Sequence, residues 1–251
     1  MSSDVVVVSG DGPVVTIRIN RPRQENRLNL AVLDAIVGAL RHADENTAVR
    51  VVVLTGTGDT FCCGGDVAEF AVSDAAAYHR FARGFAAVHL AVVGLTKPVL
   101  AAVNGDVRAG GMSLLSVCDL AVARASVRFA MPEIRDGLWP IMAMVSLNRV
   151  LPHKRAFELY YFGEPFGAEQ ARDWALVNTV VPDDEFEPAV ENYADRLAAL
   201  PVRSVALGRQ TFDGIAQRGY VDGFSYSGER LVELLTDPEI VRALAGRKEK
   251  P

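Results

Sequence analysis

Short, densely apolar runs in this chain are set against longer stretches in which apolar residues return every third or fourth position, and the two periods predict different elements. Residues 5–8 and 14–19 flank Ser9-Gly10-Asp11-Gly12-Pro13 and read as two strands around a turn. Residues 29–43 place Leu30, Val32, Leu33, Ile36, Val37 and Leu40 at helical spacing, so this helix should lie over a sheet with its other face in water. Residues 51–54, 99–103 and 120–123 are short and apolar enough to be buried strands, and 74–93 and 112–117 read as helices among them. An apolar, helix-compatible segment at 67–70 precedes the longer helix. Two short helices at 154–161 and 168–175 lead to a last strand at 176–181, which Pro182-Asp183-Asp184 ends. From there the pattern is wholly helical, at 185–200, 205–218 and 224–245, broken by Pro201 and by residues 219–223. The alternation predicts an α/β core over residues 1–195 and a helical segment over 196–251.

One arrangement occurs twice in that order. Pro98 fixes φ at the entry to the strand 99–103, and Asn104-Gly105-Asp106-Val107-Arg108-Ala109-Gly110-Gly111 then leads into a helix. The strand 51–54 is likewise followed by a turn-rich stretch and by Phe61-Cys62-Cys63-Gly64-Gly65-Asp66. A helix start leaves amide N–H groups unpaired and carries partial positive charge, so an anion developing at Gly110 would be stabilised. A glycine pair between strand and helix also serves tight packing alone. Two such units in one chain, however, can supply two converging N–H donors, which is what an oxyanion hole requires. Downstream, Phe129-Ala130-Met131-Pro132-Glu133 puts a carboxylate just after the strand at 120–123.

Composition narrows the partners. With 251 residues, half of them hydrophobic, the chain has ample material for a core. A net charge of −5, and no dense basic block beyond the short tail Arg247-Lys248-Glu249-Lys250, argue against a nucleic-acid binder. The first residues lack the order of a signal peptide and no run approaches the roughly 18 apolar residues of a membrane span, so a soluble, cytoplasmic protein with no membrane partner is expected. Three cysteines, two adjacent at Cys62 and Cys63, fit a reducing compartment and small-residue packing rather than a disulfide framework. His42, His79, His89 and His153 have no paired spacing, so they read as surface or helix residues and no metal is expected.

The order of Asn20-Arg21-Pro22 with Leu28-Asn29, Phe61 to Asp66, Lys97-Pro98, Asn104-Gly105, Gly110-Gly111, Cys118-Asp119, and Phe129 to Glu133 with Gly137 resembles the crotonase, or enoyl-CoA hydratase/isomerase, family. The likeness continues through Lys154-Arg155-Ala156, Ala168-Glu169-Gln170-Ala171 and Leu176-Val177-Asn178. The resemblance implies a spiral of ββα units whose C-terminal helices build homotrimers, often paired into hexamers. It implies an acyl-CoA or acyl-carrier-protein thioester as substrate, no cofactor beyond the coenzyme A the substrate brings, and an enolate held by the N–H groups of Gly65 and Gly110. The loop bearing Arg21, Arg23 and Arg27 is implied to touch the CoA phosphates or adenine, as arginine does well, although ordinary surface charge is the other reading. Cys63, Asp66, Ser113 and Trp139 are further candidate substrate-binding positions. Tyr78, His79, Phe81 and Phe85 are candidates for lining the acyl pocket, and an aromatic row at helical spacing also serves as plain core.

Typical hydratases of the family hold their water between two glutamates; here the first position is Ser113, and Glu133 remains as the principal proton-transfer candidate. A hydroxyl is a poor general base, so efficient hydration is not expected. One carboxylate suffices to move a proton from C2 to C4, which makes Δ3 to Δ2 double-bond isomerisation the leading reading. Hydration at an atypical site, carbon–carbon bond formation from the enolate, and a non-catalytic CoA-binding paralogue are the alternatives. Asp136 joins Trp139 as a candidate for the neighbourhood of the acyl pocket, and Arg108 reads as surface charge. Ile141 stands where family dehalogenases have an aspartate nucleophile, which rejects that chemistry.

Overall fold

The computed structural model describes residues 5–66 and 74–245. The segment read as helix-compatible at 67–70, the first four residues and the charged tail at 247–250 lie outside the described residues. Strands β1 (Val6–Ser9) and β2 (Val14–Ile19) form the expected antiparallel hairpin, with Val6 opposite Ile19. In β2 the buried Val15, Ile17 and Ile19 alternate with half-buried Val14, Thr16 and Arg18, the period-two pattern of a pleated strand. Helix α1 (Leu30–Glu45) starts where Asn29 accepts a hydrogen bond from the Val32 N–H, and it buries Val32, Leu33, Ile36 and Leu40.

The chain then repeats a two-strand unit. β3 (Val51–Gly56) is followed by the short β4 (Thr60–Cys62) and then by α2 (Ala75–Gly94), capped by Asp74. β5 (Val99–Val103) is followed by β6 (Asp106–Arg108) and α3 (Gly110–Val117), and β7 (Leu120–Arg124) by β8 (Arg128–Ala130). With β9 (Phe166–Gly167) and β10 (Thr179–Val181), the long strands join a six-stranded sheet of order β1-β2-β3-β5-β7-β10 and the short ones a four-stranded sheet of order β4-β6-β8-β9. Every pairing in the larger sheet except β1 with β2 is parallel. This is the spiral of ββα units that the resemblance implied, and each turn carries the chain from one sheet to the other.

Three helices follow β8: α4 (Met144–Leu147), α5 (His153–Phe162) and α6 (Ala168–Asp173). The larger sheet is covered on both faces, which is why its strands read as continuous apolar runs. Val52, Leu54, Ala101 and Val103 enter the main core with α1 and α2. Val51, Val53, Leu100, Ala102 and Val122 instead meet Phe186, Val190 and Ala194 of α7 (Phe186–Ala198). The domain boundary drawn after residue 195 therefore falls inside a helix that belongs to the core.

Beyond α7 lie α8 (Val202–Ala216), α9 (Tyr220–Thr236) and α10 (Pro238–Ala245). The helix expected to run unbroken over 224–245 begins at Tyr220 and is cut before Pro238, which has no N–H to continue the ladder. Gly223 lies inside α9 rather than in a linker. The strand expected at 176–181 is also shorter: Ala175 takes a left-handed φ of 63°, Leu176 N–H closes on Ala171 O, and pairing starts only at Thr179. Arg209 ties α8 to the core by donating to Val92 O at 2.8 Å and Leu95 O at 3.1 Å and by pairing with Asp119.

Candidate active site

The two glycine pairs meet. Gly64 has a φ of 86°, and a methyl built on it would lie 2.7 Å from Ala109 Cβ and 2.9 Å from Gly110 N. A methyl on Gly111 would lie 2.0 Å from Cys62 O, so the end of β4 and the start of α3 touch through backbone alone. Leu28 N–H donates to Gly64 O at 2.7 Å and Asp66 N–H to Leu28 O at 2.9 Å. In such a parallel bridge the residue between, Gly65, turns its own N–H to the other side. A methyl on Gly110 would sit 3.7 Å from Gly65 N, so the two glycines lie on adjoining segments. Neither N–H has a backbone acceptor among the described residues. Ala109, the residue before Gly110, is held at φ 49° and ψ −125°, sparsely populated backbone of the kind found where a site over-determines the chain.

Both glycines line a cavity of about 400 Å³ whose wall also includes Glu133, Asp136 and Trp139. Glu133 belongs to a 3-10 turn, Pro132–Asp136, that ends on Gly137 with a φ of 72°. Its Oε2 is buried and, among the described residues, has no hydrogen-bond partner. Burial raises the Glu133 carboxyl above its usual range; its own backbone N–H opposes this, and the negative charge of Asp136 adds to the rise. Tyr160 of α5 is pushed up to about 12 by burial, with the charge of Glu133 contributing. Trp139 is held by edge contacts with Tyr160 and Tyr161, at centroid distances of 6.0 and 5.3 Å. Phe81 and Phe85 reach the cavity from α2, whereas Tyr78 and His79 are not on its wall.

The remaining sequence candidates divide. Arg27 and Cys63 are on the cavity wall, and Arg27 donates to Cys63 O at 3.3 Å and to Glu25 at 2.6 Å, so it braces the segment that leads to Gly65. Arg108 is on the wall as well, paired with Asp106 at 2.7 Å. Burial pushes the Cys63 thiol up to about 11, leaving it protonated and unreactive at neutral pH. Arg23, Asp66 and Ser113 are not on the wall. Arg23 points outward from the 3-10 turn Pro22–Gln24, and Asp66 is committed to Arg21 at 2.9 Å.

Ser113 is fully buried on the inner side of α3, in a polar cluster that no sequence motif announced. His89 Nδ1 lies 2.9 Å from Phe85 O, a carbonyl that can only accept, so Nδ1 carries the proton and Nε2 accepts. Ser113 Oγ, 2.8 Å from Nε2, is therefore the donor, and it stands 2.8 Å from Ser146 Oγ, which Ser116 reaches at 2.9 Å. Burial holds His89 below the ordinary histidine value and so in its neutral form. His89 is a helix residue, as expected, and the one of the four histidines that is not exposed. The one signal for it is its place four residues after Phe85 on a buried helix face.

A family model described as enoyl-CoA hydratase/isomerase matches residues 10–222. The rat (Rattus norvegicus) enoyl-CoA hydratase domain-containing protein 3, mitochondrial, is 30% identical over 221 residues, covering 88% of this chain and 74% of its own. The mevalonyl-coenzyme A hydratase of Aspergillus fumigatus is 29% identical over 239 residues, covering 93% and 84%. A crystal structure of enoyl-CoA hydratase from Mycobacterium smegmatis has a TM-score of 0.94 at 31% identity, with 98% of this chain and 97% of that one covered. Among the described residues no helix is long and apolar enough to cross a membrane. Matched over most of its length in sequence and nearly all of it in fold, the chain belongs to the enoyl-CoA hydratase/isomerase family.

Proposed function

We propose that the chain binds acyl-CoA thioesters with the thioester oxygen between the N–H groups of Gly65 and Gly110, and that Glu133 moves the proton at C2. The observation that carries this reading is the unpartnered, buried Oε2 of Glu133 on the same cavity wall as both glycines. A C2 proton is hard to remove until charge on the thioester oxygen is stabilised, and one oxyanion donor is typically worth about a hundredfold to a thousandfold in rate. Ionised Glu133 takes the C2 proton of a Δ3-enoyl thioester; the electrons pass into the C1–O enolate, the double bond reforms between C2 and C3, and the same carboxyl returns the proton at C4. Partial desolvation raises the basicity of Glu133 and suits it to that exchange. Δ3 to Δ2 isomerisation needs no other acid or base. Hydration is the second reading, and the names of the rat and Aspergillus relatives favour it.

Mass spectrometry of a panel of acyl-CoAs incubated with the protein in heavy water tests the common step. Deuterium entering at C2 is the expected result, and no exchange with any acyl chain overturns the proposal.

A further inference from the structure

With Ser113 at the position where the resemblance implies an acid, the cavity still holds two carboxylates. The 3-10 helix has three residues per turn, so side chains at i and i+3 eclipse one another. Glu133 and Asp136 stand in that relation within the turn Pro132–Asp136, and both line the cavity that holds the two donor glycines. Glu133 is partly buried with an unpartnered oxygen, whereas Asp136 is solvent-exposed at the same wall. Among the described residues no ion pair engages Asp136: Arg135 turns outward to Glu164 at 2.8 Å, and Arg27 and Arg108 are taken by Glu25 and Asp106. Two carboxylates in different surroundings on one wall are the raw material for separate acid and base roles.

We propose that Asp136 is a second proton-transfer residue of this site, acting with Glu133 in the addition of water to a Δ2-enoyl thioester. This rests on the enolate reading above and extends it to a reaction that the loss of an acid at position 113 argued against. Ionised Asp136 takes a proton from water as the water oxygen bonds to C3. The C2–C3 π electrons move into the C1–O enolate at Gly65 and Gly110. Protonated Glu133 then delivers its proton to C2, giving the 3-hydroxyacyl thioester, and a proton passing from Asp136 to Glu133 through solvent resets the pair. The negative charge of Asp136 helps keep Glu133 protonated for its part. The other titratable groups on this wall are the already paired Arg27 and Arg108 and the thiol of Cys63, and the charge of Glu133 is also felt at Tyr160.

The test compares the unmodified protein with D136N, D136E and E133Q in two assays: C2 deuterium exchange of butyryl-CoA in heavy water, and conversion of 2-butenoyl-CoA to its 3-hydroxy product. A positioned acid or base contributes about a hundredfold to ten-thousandfold, so D136N should lose at least about a hundredfold in hydration kcat. The acid limb of the exchange pH profile in D136N should move to lower pH, because the charge raising Glu133 is gone, a shift that a role in packing alone would not produce. D136E should recover part of the hydration, and E133Q should lose both reactions. Hydration by D136N at the unmodified rate overturns the proposal, as does an unmodified protein that exchanges C2 protons and adds no water. Absence of both reactions removes the enolate reading itself and this inference with it.

Discussion

Replacing Gly64 by alanine puts a methyl between the two segments that carry Gly65 and Gly110, the proposed oxyanion donors. Two separate costs follow. The φ of 86° is left-handed space, and a non-glycine residue there costs on the order of 1–3 kcal/mol. The new Cβ would also stand 2.7 Å from Ala109 Cβ and 2.9 Å from Gly110 N. Carbon atoms pack at about 3.5–4.0 Å, so the two segments must part by roughly 1 Å. Neither neighbour can swing aside, because one is a Cβ fixed to the backbone and the other is the backbone of Gly110 itself. A displacement of about 1 Å at a reacting centre can cost on the order of a hundredfold. Gly64→Ala should therefore remain folded by circular dichroism, melt at a lower temperature, and lose about a hundredfold or more in the C2 exchange rate. Gly58→Ala separates strain from geometry. Its φ of 75° is equally left-handed, but its added methyl would meet only Pro22 Cβ at 3.6 Å, away from the cavity. It should lower the melting temperature by less, since it carries the strain without the clash, and leave exchange within a few-fold. Unimpaired exchange in Gly64→Ala, or an equal activity loss in Gly58→Ala, would refute the claim that Gly64 acts by keeping the two donors together.

Glu133→Gln should reduce turnover by about a hundredfold to ten-thousandfold with CoA affinity nearly unchanged, read by single-turnover exchange beside equilibrium binding; a loss confined to affinity counts against proton transfer. The helices after Pro201 expose large apolar side chains, among them Phe212, Val221, Phe224 and Val232, so a homotrimer or hexamer is expected at micromolar concentration, and a monomer by light scattering contradicts it. His89 should make stability depend on pH in a definite sense. Burial lowers its folded value, so below the ordinary value of about 6.5 the unfolded chain binds more protons, and the stabilising contribution present above that pH is lost as pH falls toward the folded value. The melting temperature of the unmodified protein should drop more between pH 7.5 and 5.5 than that of His89→Gln, and parallel curves would remove His89 from the account.

Much of this architecture was legible because its causes are local. The short apolar runs at 51–54 and 99–103 fit buried strands, and Asn29 and Asp74 mark where their helices begin through side chains that accept from Val32 and Ala77 N–H. The glycine pairs were legible for a steric reason: a Cβ at Gly64 or Gly111 would collide with the other segment. Pro238 was visible in the sequence too, and a reading by helical period alone carried the helix through it. The company each site residue keeps was less legible. Glu133 and Asp136 are both candidates from the sequence, but a five-residue 3-10 turn is too short to show a period, so the sequence does not say that the two share one face. Matched to the family's acid position, Ser113 is expected to face the pocket, but it is tied to His89 across 24 residues of sequence, a pairing no spacing rule proposes.

That pairing also explains why a hydroxyl suits position 113. With Nδ1 donating to Phe85 O, Nε2 of His89 needs a donor, and Ser113 supplies one while still accepting from the serine beside it. An ionised carboxylate is an acceptor only. Placed there, it would oppose the Nε2 lone pair unless His89 were protonated, and the burial of His89 works against the charge. His89 and Ser113 are thus matched to each other. Through His89 the match holds Phe85, whose ring lies 4.5 Å from the imidazole, in the place where its Cε2 would meet a methyl on Gly110 at 3.2 Å. Ser113, at the position where the resemblance implies an acid, thus supports from behind the aromatic ring that lies against Gly110.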